Sequence, residues 1–222
     1  MLGITPQTAV ETCLDRHWKS LRSDTHPVPR RAALDPKEIT PILEHLILLE
    51  LEGHGAARFR IGGLRVCQMF GGEVRGAPLH ALFRSLDRAS LDAICREVIS
   101  APAIADMRCV AHVRGMGEVA ARLSLRPMVD GNGKVTRIVG TVDVAADLEA
   151  LAGAQLALVQ SNTRPLDTLD APAPEPFTYV AADVEPVYAA EAAVPYLMAV
   201  AGTGNPTPSS GRQHLKLVVS HD

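Results

Sequence analysis

The residues of this chain best suited to chemistry are four cysteines and a scatter of histidines, and their spacing argues against most of the chemistry they could do. Cys13, Cys67, Cys95 and Cys109 lie far apart, none in a CxxC pair, each among apolar neighbours. A secreted disulfide scaffold would be smaller and denser in cysteine, so free buried thiols in a reducing cytoplasm are expected. His80 and His112 stand apart from other ligand types, without metal spacing, and read as surface or interface histidines. The chain has no P-loop, no GxSxG and no HExxH motif. Arg65 and Glu73 bracket a short segment and could pair, a contact that contributes little when exposed. The expectation is a binding module and not an enzyme, with no catalytic residue and no metal site.

The bulk properties set the frame for that expectation. With 222 residues, one or two domains fit the length, and 47% hydrophobic content is ample for a core. A net charge of −3 gives no basic footprint for nucleic acid. Apolar runs such as Leu46–Leu49 fall far short of the roughly 20 residues of a membrane span. The N-terminus lacks a basic region followed by an apolar stretch, so no signal peptide is expected. The protein is read as cytoplasmic, with no membrane and no nucleic acid among its partners.

The elements follow from periodicity. Thr5 can cap a first helix with Pro6 in its first turn, and Val10, Cys13, Leu14, Trp18 and Leu21 recur at helical spacing. That stripe must cover either its own sheet or a second copy. Ser23–Pro36, rich in proline and charge, reads as an ordered crossing loop, and Asp35–Glu38 begins a short helix. Ile42–Glu52 and Arg58–Gly62 read as the first two strands around the Gly53–Gly55 turn. Leu64–Phe70 forms a small helix, and Gly71, Gly72 and Gly76 then supply turn conformations or close backbone approach. Leu79–Arg84 makes another short turn of helix. From Asp87, Leu91, Ile94, Cys95, Val98 and Ile99 line one helical face, which Ala101-Pro102 ends.

Three strands come next. Met107–Arg114 alternates Met107, Cys109, Ala111 and Val113 against Arg108, Val110, His112 and Arg114. Glu118–Met128 alternates Val119, Ala121, Leu123 and Leu125 against Arg122, Ser124 and Arg126. Asp130-Gly131-Asn132-Gly133 is a hairpin turn leading into Val135–Val144. Ala146–Asn162 reads as a helix leaving the sheet. The result is an α+β fold, a five-stranded antiparallel sheet with helices on one face. Residues 1–40 form the N-terminal helix and crossing loop, 41–145 the core, 146–163 the C-terminal helix and 164–222 a tail. Ala171–Ser210 is rich in alanine and proline and has no lysine or arginine, so the tail reads as largely disordered. It holds all three tyrosines, Tyr179, Tyr188 and Tyr196, and His214–Ser220 could add a short strand at a sheet edge.

The order of these elements, with PVPRRAALDPKEI, FRIGGLRV, FGGEVRG and SLRPMVDGNGKVTRIVGTVDV, resembles a family of small bacterial proteins that carry a single PAS domain and little else. The resemblance covers roughly Gln7 to Val144. It implies a PAS fold and a regulatory role in signalling pathways such as motility and cell-cycle control, with kinases or response regulators as candidate partners. It carries over no ligand and no catalytic residue.

A PAS fold cups a cavity between sheet and small helices. By alternation its lining would be Phe59, Ile61, Met69, Phe70, Leu91, Ile94, Cys95, Val98, Cys109, Ala111, Leu123 and Leu125. The same residues could instead form a closed core, the reading favoured by their lack of convergent polar groups. The cofactor stays unknown. Asp87–Ser100 has no histidine to ligate heme, and Cys95 there lies on the core face. Flavin photosensors carry Asn before the reactive cysteine, whereas Val66 precedes Cys67 here. The expected assembly is a homodimer in which Val10, Leu14, Trp18 and Leu21 meet the outer sheet face at Val110 and Val139 of a second copy. The leading expectation is a sensory or regulatory module acting by protein–protein contact. The alternatives are an adaptor whose Tyr-bearing tail recruits a partner and, with no inward ionisable group to support it, a small isomerase-like α+β enzyme.

Overall fold

The computed structural model describes residues 8–51, 53 and 55–168. The first residues of the expected tail, 164–168, are ordered as the end of a strand and a 3-10 turn; the rest of that tail, its three tyrosines and the terminal strand lie outside the described residues, as do Thr5 and Pro6. Among the described residues the elements run α1 (Ala9–Ser20), β1 (Leu46–Glu50), β2 (Arg58–Gly62), α2 (Leu64–Phe70), α3 (Arg88–Ser100), β3 (Ala103–Val113), β4 (Gly117–Val129), β5 (Val135–Val144) and β6 (Gln155–Pro165). Short 3-10 turns join them, and the stretch expected to open a helix at Asp35–Glu38 is turn, with a 3-10 turn at Thr40–Ile42.

The strands form one sheet in the order β2-β1-β5-β4-β3-β6, every neighbouring pair antiparallel. It has six strands, not five. The extra one, β6, replaces the helix expected over Ala146–Asn162. Leu148–Leu151 makes a single 3-10 turn, and Gly153 at φ 71° turns the chain, a conformation that costs glycine little. Gln155–Pro165 then pairs with β3 along its length, Leu156 facing Ala111 and Leu158 facing Cys109. Alanines favour a helix locally here, and a free strand edge overrides that weak preference.

Period-two alternation divides the core between the two faces of the sheet. Ile47 and Leu49 of β1 join an inner apolar cluster with Val66 and Met69 of α2, Leu91, Cys95 and Val98 of α3, and the inward residues of β3, β4 and β5. Leu46 and Leu48 join an outer cluster with Ile104, Met128 and Val139, and with Leu14 and Trp18 of α1. The helices therefore occupy both faces: α2 and α3 on the inner face, α1 on the outer.

The glycines singled out in the sequence divide in the same physical terms. Gly71, the left-handed residue that ends α2, has φ 83° and Gly76 has φ 81°. Gly72 has neither positive φ nor a close neighbour. The sites where a side chain would collide with backbone lie elsewhere: Gly63 against the carbonyls of Leu43 and Glu44, and Gly140 against the carbonyl of Ser124.

Candidate functional site

Of the twelve cavity candidates, Phe59, Met69, Leu91, Ile94, Cys95, Val98, Cys109, Ala111, Leu123 and Leu125 are buried together in the inner cluster. Two are not. Ile61 is 45% exposed because of a β-bulge. Leu49 pairs with Phe59 and Leu48 with Ile61, so Arg60 is the extra residue. An extra residue turns those after it to the other face. Phe70, at the end of α2, is 40% exposed, one position past the inward Met69. Burial pushes the thiol of Cys95 up to about 12, with the charge of Asp92 adding to it. Burial, then Asp87, does the same to Cys109. Both are packing residues with suppressed reactivity.

The histidines and the expected ion pair are placed differently. His80 Nδ1 lies 2.9 Å from Asp92 Oδ2, tying the 3-10 turn Leu79–Leu82 to α3, while His112 is exposed. Arg65 does not meet Glu73: its guanidinium donates to the carbonyls of Val144 and Ala146, and Glu73 pairs with Arg75 at the surface. Among the described residues no three His, Cys, Asp or Glu side chains gather as metal ligands.

The outer face holds the chemistry that periodicity alone did not bring together. Thr8 caps α1 through a capping box: its Oγ1 accepts from the Glu11 amide at 3.2 Å, and Glu11 Oε2 accepts from the Thr8 amide at 3.0 Å. Spacing of three and four then puts Glu11, Leu14, Asp15 and Trp18 on the face toward the sheet, all buried. Trp18 is fully buried, and its indole N–H donates to the Pro127 carbonyl at 3.0 Å. Glu11 accepts from Arg122 at 3.2 Å and from the Ser124 hydroxyl at 3.3 Å.

Arg126, on the same side of β4, is fully buried. Its Nε donates to Asp15 Oδ1 at 2.7 Å and its Nη2 to Asp106 Oδ1 at 2.7 Å, while Nη1 reaches the carbonyls of Ala105 and Leu125 at 3.1 and 2.9 Å. Burial opposes the guanidinium charge, but Asp106 and Asp15 outweigh it and hold its pKa above the ordinary value. Asp106 also accepts from Arg164 of β6 at 3.3 Å through its other oxygen. The sequence held a signal for this network: acids four apart on the apolar stripe of α1, and Arg122, Ser124 and Arg126 two apart on β4.

These contacts correct the expected interface. Leu14, Trp18 and Val139 do meet, but inside one chain, and none retains exposed surface. Val10 packs at the margin of the same cluster and Leu21 is half-buried. The segment between α1 and β1 folds back, with Arg22 donating to the Pro27 carbonyl at 2.9 Å and the Val129 amide to the Pro29 carbonyl at 2.8 Å. That return lets α1 lie on its own sheet. Val110 belongs to neither cluster. With Ala157 it floors a groove of about 280 Å³ rimmed by Arg84, His112, Glu118 and Gln155. No helix among the described residues is long and apolar enough to cross a membrane.

Comparison with protein families matches residues 7–143 to a model described as a PAS domain. No curated protein matches the chain.

Proposed function

The chain belongs to the PAS-domain family, whose members are sensory or regulatory modules, and from that membership we propose that it is a non-enzymatic regulator acting by protein–protein contact through its outer sheet face. The observation that carries this reading is the division of that face. α1 covers Leu46, Leu48, Ile104, Met128 and Val139, whereas Val110 and Ala157 remain at the floor of an open groove with a polar rim. An apolar floor within a polar rim is the usual anatomy of a protein contact. A second copy of the chain is the first partner to test, and signalling proteins such as kinases or response regulators are others. The four cysteines are free, which supports a reducing cytoplasmic setting.

Sedimentation equilibrium of the full chain and of Val110→Asp tests the contact. A carboxylate at that floor leaves the fold in place, since Val110 joins neither apolar cluster, and converts a dimer to a monomer. Equal masses for the two proteins, with unchanged near-ultraviolet circular dichroism, would remove the groove as the self-contact. Inward binding of a small ligand rests on the family alone. Its test is native mass spectrometry of the purified protein for a retained molecule.

A further inference from the structure

We propose that the docking of α1 is coupled to the C-terminal end of β6, where the chain leaves the sheet, by a single line of alternating charges: Asp15, Arg126, Asp106 and Arg164. The line crosses from α1 over β4 and β3 to β6, with successive contacts of 2.7, 2.7 and 3.3 Å. Its centre cannot rearrange freely. Two backbone carbonyls, Ala105 and Leu125, fix the Arg126 guanidinium, and both belong to the β3–β4 ladder. Asp15 must therefore come to Arg126, and it does so only while α1 is docked.

Asp106 is the divided member. One carboxylate oxygen serves Arg126 and the other serves Arg164. When Asp15 leaves, the buried charge of Arg126 falls to Asp106 alone, and the share held by Arg164 weakens. Arg164 has little else to hold it, because its Nε, though buried, has no hydrogen-bond partner. Two residues on, Leu166 packs in the same outer cluster as Leu14 and Trp18, and its amide donates to the Pro102 carbonyl at 3.0 Å. α1 and the exit of β6 are thus joined twice, by charge and by apolar contact. The element with two states is α1, docked or released, and both ends of the line bias it. This goes beyond the proposed contact surface and does not depend on what binds there.

The test is amide hydrogen exchange by NMR on the full chain. Asp15→Asn removes the first charge and keeps the side-chain shape. Glu11→Gln removes the other buried acid of α1, which lies off the line on Arg122 and Ser124. Asp15→Asn is expected to speed exchange of the Leu166 amide about tenfold, a typical coupling between sites, while Glu11→Gln changes it less than twofold. Arg164→Gln, at the partly exposed far end, is expected to speed exchange of the α1 amides as well, because a coupling between two sites acts in both directions. An unchanged Leu166 amide in Asp15→Asn, an equal acceleration in Glu11→Gln, or unmoved α1 amides in Arg164→Gln each overturns the proposal. The sedimentation test reads a different quantity, so failure of one does not decide the other.

Discussion

Replacing Arg126 with methionine removes the one positive charge buried between Asp15 and Asp106 while keeping most of the side-chain volume. The two acids do not fare alike. Asp106 keeps Arg164 at 3.3 Å, whereas Asp15, whose side chain is 7% exposed, keeps Lys19 at 3.6 Å. The Ala105 and Leu125 carbonyls also lose a donor. Breaking a buried pair in this way costs about 3–5 kcal/mol, because a charge stays behind without its partner. The partial replacements by Lys19 and Arg164 place this case near the lower end, about 3 kcal/mol. With a urea slope of about 2 kcal/mol/M, the unfolding midpoint falls by about 1.5 M. Adding Asp15→Leu to Arg126→Met removes the buried acid that has lost Arg126 and restores apolar contact with the outer cluster, so the double variant recovers most of the loss. Urea unfolding followed by Trp18 fluorescence reads both. A single variant within 1 kcal/mol of the parent, or a double variant less stable than the single, would refute the view that this network is buried and mutually dependent.

Three further outcomes follow from particular contacts. A thiol-reactive dye at pH 8 modifies Cys13 and Cys67, which are partly exposed, while Cys95 and Cys109 react only after denaturant is added; rapid labelling of either buried cysteine in the native protein would contradict their burial. Gly140→Ala forces a methyl group onto the Ser124 carbonyl in the β4–β5 ladder, so it lowers thermal stability far more than Gly72→Ala, where the space is open; equal melting temperatures would count against the register. The Asp130 carboxylate accepts from the Lys134 and Asn132 amides and the Thr136 hydroxyl, which, led by Lys134, hold its pKa below the ordinary value. A lowered folded pKa stabilises the hairpin above the unfolded value and withdraws that support as pH falls through the folded one. An NMR titration midpoint for Asp130 at or above the usual carboxylate range would negate this.

Much of the fold was legible because it is local. The β5 limits, the α2 limits and the Asp130–Gly133 hairpin come out as periodicity and turn chemistry predict. Inward alternation on β3 and β4 was equally readable, since a pleated strand assigns faces without reference to its neighbours. So was membership of the PAS family, carried by the order of those elements and matched over residues 7–143.

What the tertiary structure decided is where local preference meets a partner distant in sequence. The stretch Ala146–Asn162 opens with helix-favouring alanines, and only the open edge of β3 makes its second half, from Gln155, a strand. Ile61 has the spacing of an inward residue after Phe59, and only the pairing of Leu48 and Leu49 across the bulge turns it outward. The apolar stripe of α1 states that something must cover it, not whether that is this chain or another. In this chain its own sheet covers it, and there Asp15 meets Arg126, 111 positions away. Periodicity measures which residues share a face. Burying a charge depends on which opposite charge the completed sheet brings to it, and that is settled only when the chain has closed on itself.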